Sequence, residues 1–206
     1  PAAPVSYIDV NTEEGLWEWM RVQESAGRHL LAIPHNSNAS KGRMFPNTDS
    51  SGEQLSLEYA RTRQHFEPLI EMMQIKGNSE VHRKFWAADE FADFEINEEP
   101  FYTDTLDMIS MNKEFPIKGG YAREALKDGL KIERKIGINP YKFGFIGSTD
   151  QHLGLSITDE GNYLGEHTTK VDLLQFRMED RTEKTYNPGG LTGVWARSNT
   201  RENIFN

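Results

Sequence analysis

A chain of 206 residues, 36% hydrophobic and 27% charged, is large enough for one domain with its own core, and its net charge of −9 argues against nucleic acid or an anionic membrane as its main partner. It contains no cysteine, which rules out disulfides, thiolate metal sites and cysteine nucleophiles. No apolar run reaches the length of a membrane span, and a cysteine-free chain suits the periplasm and the cytoplasm equally.

The first predicted element is a helix from about Thr12 to Ala26. Asn11 and Glu14 resemble a capping box, Leu16, Trp17, Trp19 and Met20 supply an apolar face, and Gly27 stops it. A strand over His29–Pro34 follows, with four apolar residues in a row before Pro34, His35 and Asn36. The stretch from Asn36 to Gly52 is too long and too rich in Asn, Ser and Gly for a minimal connection, so it reads as a functional loop.

A second helix is expected over Ser56–Phe66, broken by Pro68, and then a strand over Leu69–Ile75. Lys76–Glu80 places another polar loop at a strand end. The segment His82–Pro116, irregular and rich in aromatics and acids, reads as a lid or rim. Gly120–Ile136 has the strongest helical pattern, with Tyr121, Ala125, Leu126, Leu130 and Ile136 on one stripe and Gly137 at its stop.

Phe143–Ser148 has the profile of an interior strand, and Val171–Met178 and Leu191–Ala196 read as further strands. Alternating strands and helices imply βαβ units and a mostly parallel sheet, hence an α/β fold. The chain also reads as a fragment. It opens at Pro1 in a linker-like PAAPVS and stops just after Asn199 or Thr200 caps a helix bearing Ile204 and Phe205.

Candidate chemistry sits at the strand ends. Asp150 and His152 stand two apart after an apolar strand, and in extended backbone such residues point the same way. A carboxylate and an imidazole converging on one point suit zinc, manganese or iron. His35 ends another apolar strand, and parallel α/β folds gather their working residues at strand C-termini. The ordinary alternatives are a polar loop for Asp150 and His152 and a hydrogen-bonded structural histidine for His35.

Glu71 lies inside a strand, where a lone carboxylate calls for a cation or a salt bridge to Lys76 or an arginine. Lys76 is a candidate phosphate contact or a solvated lysine, and Glu80 a candidate substrate contact. His29, His65, His82 and His167 have no ligand partner at short spacing and read as surface or capping residues. Ser148 lies outside a G-x-S-x-G elbow, and neither a P-loop nor a dinucleotide fingerprint is present.

Six segments in order, IPHNSNASKGRMFP, EPLIEMMQIKGNSE, DEFADFE, GYAREALKDGL, NPYKFGFIGSTDQHLGL and GGLTGVWARSNTRENIF, resemble the domain of unknown function 3604 family. That family is related to the PHP (polymerase and histidinol phosphatase) superfamily of distorted (β/α) barrels. The resemblance implies a partial PHP-like barrel in which His35, Asp150 and His152 are metal ligands and catalytic residues. It further implies metal-assisted hydrolysis of a small-molecule substrate of phosphoester type. Asn36, Glu71, Lys76 and Glu80 would then face substrate or support the ligands.

One departure stands out. PHP proteins open with an H-x-H motif, and no two of the six histidines here are two apart. This keeps open a non-catalytic binding or scaffold module, or a hydrolase acting on a sulfate or an amide. The open sheet edges of a partial barrel lead us to expect pairing between copies or with further sequence.

Overall fold

The structure is a computed structural model, and it describes residues 5–96, 117–150 and 189–205. It is a mixed α/β arrangement around a small open sheet.

Helix α1 spans Glu13–Ser25. Its start is set by the Thr12 hydroxyl, which accepts the Gly15 amide at 3.2 Å, with Glu13 and Glu14 in the first turn where the helix dipole favours acids. Helix α2 spans Leu57–Phe66 and is capped by Ser56, whose hydroxyl accepts the Tyr59 amide at 3.0 Å. The two helices meet through Trp17 and Tyr59, whose rings pack edge to face at 4.9 Å.

Strand β1 (Leu69–Gln74) is central. The two-residue β2 (Gly77–Asn78) pairs with it antiparallel, and β3 (Gly144–Gly147) pairs with it parallel, Ile70 facing Phe145 and Glu71 facing Ile146. Helix α3 (Ala122–Ile136) supplies the crossover side of this parallel pair and ends at Gly137, whose φ of 84° is the left-handed conformation of a helix stop. A short α4 (Arg201–Phe205) begins after Thr200, whose hydroxyl accepts the Asn203 amide at 3.3 Å.

One core links these elements. Trp17, Met20, Phe45, Leu55, Tyr59, Phe66, Ile70, Ala122, Ala125, Ile132 and Tyr141 form it. Each large side chain in such a cluster contributes about 1.5–3 kcal/mol by leaving water. Into this core α2 inserts a charge. Arg63 pairs with Glu67 at 2.9 Å, donates to the Tyr59 hydroxyl at 3.1 Å and to the Met44 carbonyl at 2.7 Å, and stacks 5.0 Å from the Tyr141 ring. Glu67 in turn accepts the Trp17 indole N–H at 2.9 Å. The mixed face of α2 is therefore the polar seam of the core.

Several expectations change. His29–Pro34 forms no regular strand: among the described residues two backbone bonds tie it down, Ala32 N–H to Phe66 O at the end of α2 at 2.7 Å and Glu71 N–H of β1 to Pro34 O at 3.0 Å. These bonds still make it run alongside β1 in the same direction. β3 is not interior among the described residues, since Phe145 is half exposed, and Phe143 carries the packing through Phe45 at 5.7 Å.

On α3 the buried face is Ala122, Ala125, Gly129 and Ile132, while Leu130 points out. The helix turns its small residues inward to approach the Asn139–Tyr141 turn closely. A Cβ on Gly129 would fall 2.1 Å from the Asn139 side-chain oxygen, which itself accepts the Tyr141 amide at 2.8 Å. His82 is buried rather than on the surface, 5.8 Å from the Tyr121 ring, with its Nδ1 accepting the Lys84 amide at 3.1 Å. His29 and His65 are exposed, and His65 pairs with Glu24 at 2.9 Å.

Leu191–Ala196 is exposed and forms no strand, because the Thr192 hydroxyl, not a backbone ladder, meets the edge of β3. The expected strand Val171–Met178 and His167 lie outside the described residues. Among the described residues no helix is long and apolar enough to cross a membrane.

Candidate functional site at the strand tips

Three extended segments end on the same side of the sheet: the stretch before Pro34, strand β1 and strand β3. Their tips carry His35 and Asn36, Gln74 and Lys76, and Ser148 and Asp150. Polar side chains join the tips of β1 and β3 in a closed circuit. The Ser148 hydroxyl donates to Glu71 Oε1, and the Gln74 amide donates to Glu71 Oε2 at 3.1 Å. Gln74 Oε1 accepts the Lys76 backbone N–H at 3.0 Å, and Lys76 Nζ closes the circuit on Asp150 Oδ2.

Burial explains why these bonds exist. Glu71 is buried, so its two carboxylate oxygens need donors, and among the described residues they find a hydroxyl and an amide, partners that neither the cation nor the salt-bridge reading named. The side chains of Lys76 and Asp150 are 12% and 16% exposed, so each charge has been largely removed from water and is compensated by the other. Asp150 holds a left-handed φ of 52°, an uncommon conformation that aspartate tolerates better than most residues.

The first loop is tied to the same place. Asn36 also has a left-handed φ, 54°, and starts a 3₁₀ turn over Ser37–Ala39. Asn38 donates its side-chain amide to the Lys76 carbonyl at 3.0 Å and accepts the Ser79 hydroxyl at 3.1 Å. The long Asn-rich loop and the KGNSE loop therefore clamp one another. The Asn36 side-chain oxygen is buried and has no donor among the described residues.

Gly189 and Gly190 cross directly over the two strand tips. The Gly190 N–H donates to the Ser148 carbonyl at 2.7 Å, and a Cβ on Gly190 would lie 2.5 Å from the Met73 carbonyl oxygen. Only a residue without a side chain fits there.

The structure thus brings Glu71, Lys76 and Asp150 into one polar circuit, with His35 and Asn36 at the neighbouring tip. His35 is exposed. Glu80 turns elsewhere: it pairs at 2.6 Å with Arg123 of α3, which also holds Asp89. The Arg123 hydrogen bond keeps the Asp89 carboxyl below the usual carboxylate range. His152 lies outside the described residues, so its distance from Asp150 is not part of this geometry. Among the described residues no three His, Asp or Glu side chains converge on a common point.

Sequence reasoning named Ser79 beside Glu80 but missed Gln74, Asn38 and Ser148 as members. Asn38 and Ser148 bond residues 41 and 77 positions away, which no local pattern marks, whereas Gln74 sits three residues from Glu71.

A family model described as Protein of unknown function (DUF3604) matches residues 1–206. No curated protein matches the chain, and no solved structure does.

Proposed function

We propose that this chain, which belongs to the DUF3604 family, is part of a metal-dependent hydrolase of PHP type, built on part of a distorted (β/α) barrel and acting on a phosphoester through a metal-activated water. The observation that supports the reading is that β1 and β3 run parallel, with the stretch ending at Pro34 bonded to β1, so that His35, Lys76 and Asp150 each follow an extended segment, and parallel α/β folds do their chemistry at that end.

The donor set can be tested against a divalent ion. Asp150 fits, because its largely buried carboxylate already holds a cation, the ammonium of Lys76. The exposed imidazole of His35 is a second suitable donor at the adjacent tip. These two are fewer than a stable site needs, so His152 and donors beyond the described residues would complete it. Bound there, the ion supplies a water of lowered pKa and a Lewis acid for a phosphoryl oxygen.

The chain's own residues do the positioning. Ser148 and Gln74 fix the Glu71 carboxylate and so hold the tips of β1 and β3 in register. Asn38 fixes the backbone of Lys76, and the buried acceptor of Asn36 faces donors of a substrate or a bound water.

The test is hydrolysis of a phosphoester panel with zinc, manganese or iron added. His35→Ala and Asp150→Ala are each expected to abolish metal-stimulated turnover, and unchanged turnover in both ends the reading.

A second reading is a non-catalytic binding or scaffold module. It is favoured by the fact that Glu71 and Asp150 both have protein partners at the tips. Elemental analysis separates the two: no bound transition metal, and no rise in melting temperature with zinc or manganese, supports the scaffold.

A further inference from the structure

The stretch 83–96 is a run of turns. Phe85 and Trp86 donate their N–H groups to the His82 carbonyl at 2.9 and 3.2 Å, and Asp89 donates to Trp86 at 3.0 Å. Ala92 donates to Asp89 and Phe94 to Phe91, both at 3.1 Å. Ala92 is the one buried residue among 83–96, while Phe91 and Phe94 are exposed. Both roots are pinned. His82 packs 5.8 Å from the Tyr121 ring, and Asn78 bonds the Phe94 and Glu95 carbonyls at 3.2 and 2.9 Å.

Between its roots the stretch meets the start of α3 through charge. Arg123 donates to Asp89 and also holds Glu80 at 2.6 Å. The Trp86 ring has three cations around it: Lys118 Nζ and Lys127 Nζ at 5.5 Å and the Arg123 guanidinium at 5.8 Å. The neighbouring KGNSE loop is attached differently. Its Ser79 and Glu80 carbonyls accept the Ala122 and Arg123 amides at 2.9 and 3.2 Å, so main chain ties it to α3.

Water reaches the Arg123–Asp89 pair, whose side chains are 32% and 25% exposed. Such ion pairs are weak singly and weaken further as salt screens them. A segment that buries a single alanine belongs to the low-stability end of a fold.

We propose that Trp86 and Asp89 form an ionic latch on α3, closed by Arg123. The latch holds the rim down and lets it lift between its pinned roots while the core stays folded. Lifting uncovers the first turn of α3 and leaves the KGNSE loop in place, because main-chain bonds hold that loop. This device is independent of the chemistry assigned to the strand tips.

Hydrogen exchange of the full chain, followed by mass spectrometry, tests it. Peptides over 83–95 are expected to exchange about tenfold faster in Arg123→Met, which loses both the ion pair and the cation over the indole. Asp89→Asn removes the charge but keeps the oxygen that accepts the Phe91 amide, and about threefold is expected. Potassium chloride at about 1 M, where the screening length is about 3 Å, is expected to speed the same peptides in the unaltered protein. Peptides from α1, β1 and the KGNSE loop are expected to keep their rates throughout.

Unchanged exchange over 83–95 in Arg123→Met overturns the latch and makes the rim a packed part of the fold. Faster exchange that spreads equally to α1 and β1 also overturns it, since the rim would then open only with the core.

Discussion

The Arg63–Glu67 pair in the core and the Lys76–Asp150 pair at the strand tips are made of the same charges in different surroundings. Arg63 and Glu67 are 3% and 8% exposed, and a ring of fixed partners surrounds them: Tyr59, Trp17, Tyr141 and the Met44 carbonyl. The planar guanidinium directs its donors to several acceptors at once, so this pair is part of the architecture. Lys76 and Asp150 sit at the mouth of the sheet, and the ammonium is a point charge on a flexible stem. Surroundings, rather than residue type, separate the two pairs: one is ringed by fixed aromatic and backbone partners in the core, the other joins the ends of β1 and β3.

Three experiments sharpen or break this contrast. The largest effect belongs to alkali. Burial pushes the phenols of Tyr59 and Tyr141 well above their ordinary value near 10, outweighing the opposing pull of Arg63. The unfolded chain ionises these groups first, so the stability they hold is complete below pH about 10 and falls as pH rises further. Cooperative loss of ellipticity together with phenolate absorbance is the expected signature. If Tyr59→Phe with Tyr141→Phe reduces the phenolate absorbance that appears before ellipticity is lost, the core is open.

Next comes Glu67→Leu, which strands the Arg63 charge and is expected to cost about 3–5 kcal/mol in denaturant unfolding. A cost under about 1 kcal/mol would mean that this pair behaves like a surface pair. The smallest effect is Ser148→Ala, which removes one donor from the buried Glu71 carboxylate and is expected to cost about 1–3 kcal/mol. A loss as large as that of Glu67→Leu would make the tip circuit part of the core and erase the contrast.

The parts legible in the sequence are those written locally. Helices α1 and α3 follow from apolar spacing, α3 with Gly137 at its stop, α2 from the run between Ser56 and Pro68, and β1 and β3 from short apolar runs, although the cap of α1 is Thr12 and not the expected Asn11. Even here Leu130 misled, because the tight contact of Gly129 with Asn139 orients α3 and no periodicity reveals it. The tip site was legible as a set of strand ends, and Glu71, Lys76 and Asp150 do meet there. Its wiring was not. Lys76 and Asp150 are 74 positions apart and Asn38 and Ser79 are 41 apart, so only the fold makes them neighbours.

The glycines at 189 and 190 carry a mechanical consequence. Their backbone lies against Thr149, Gly147 and Met73, with no room for even a methyl group between. At 190 any larger residue would run into the Met73 carbonyl oxygen, so Gly190→Ala has to push this crossing away from β1 and strain its bond to Ser148.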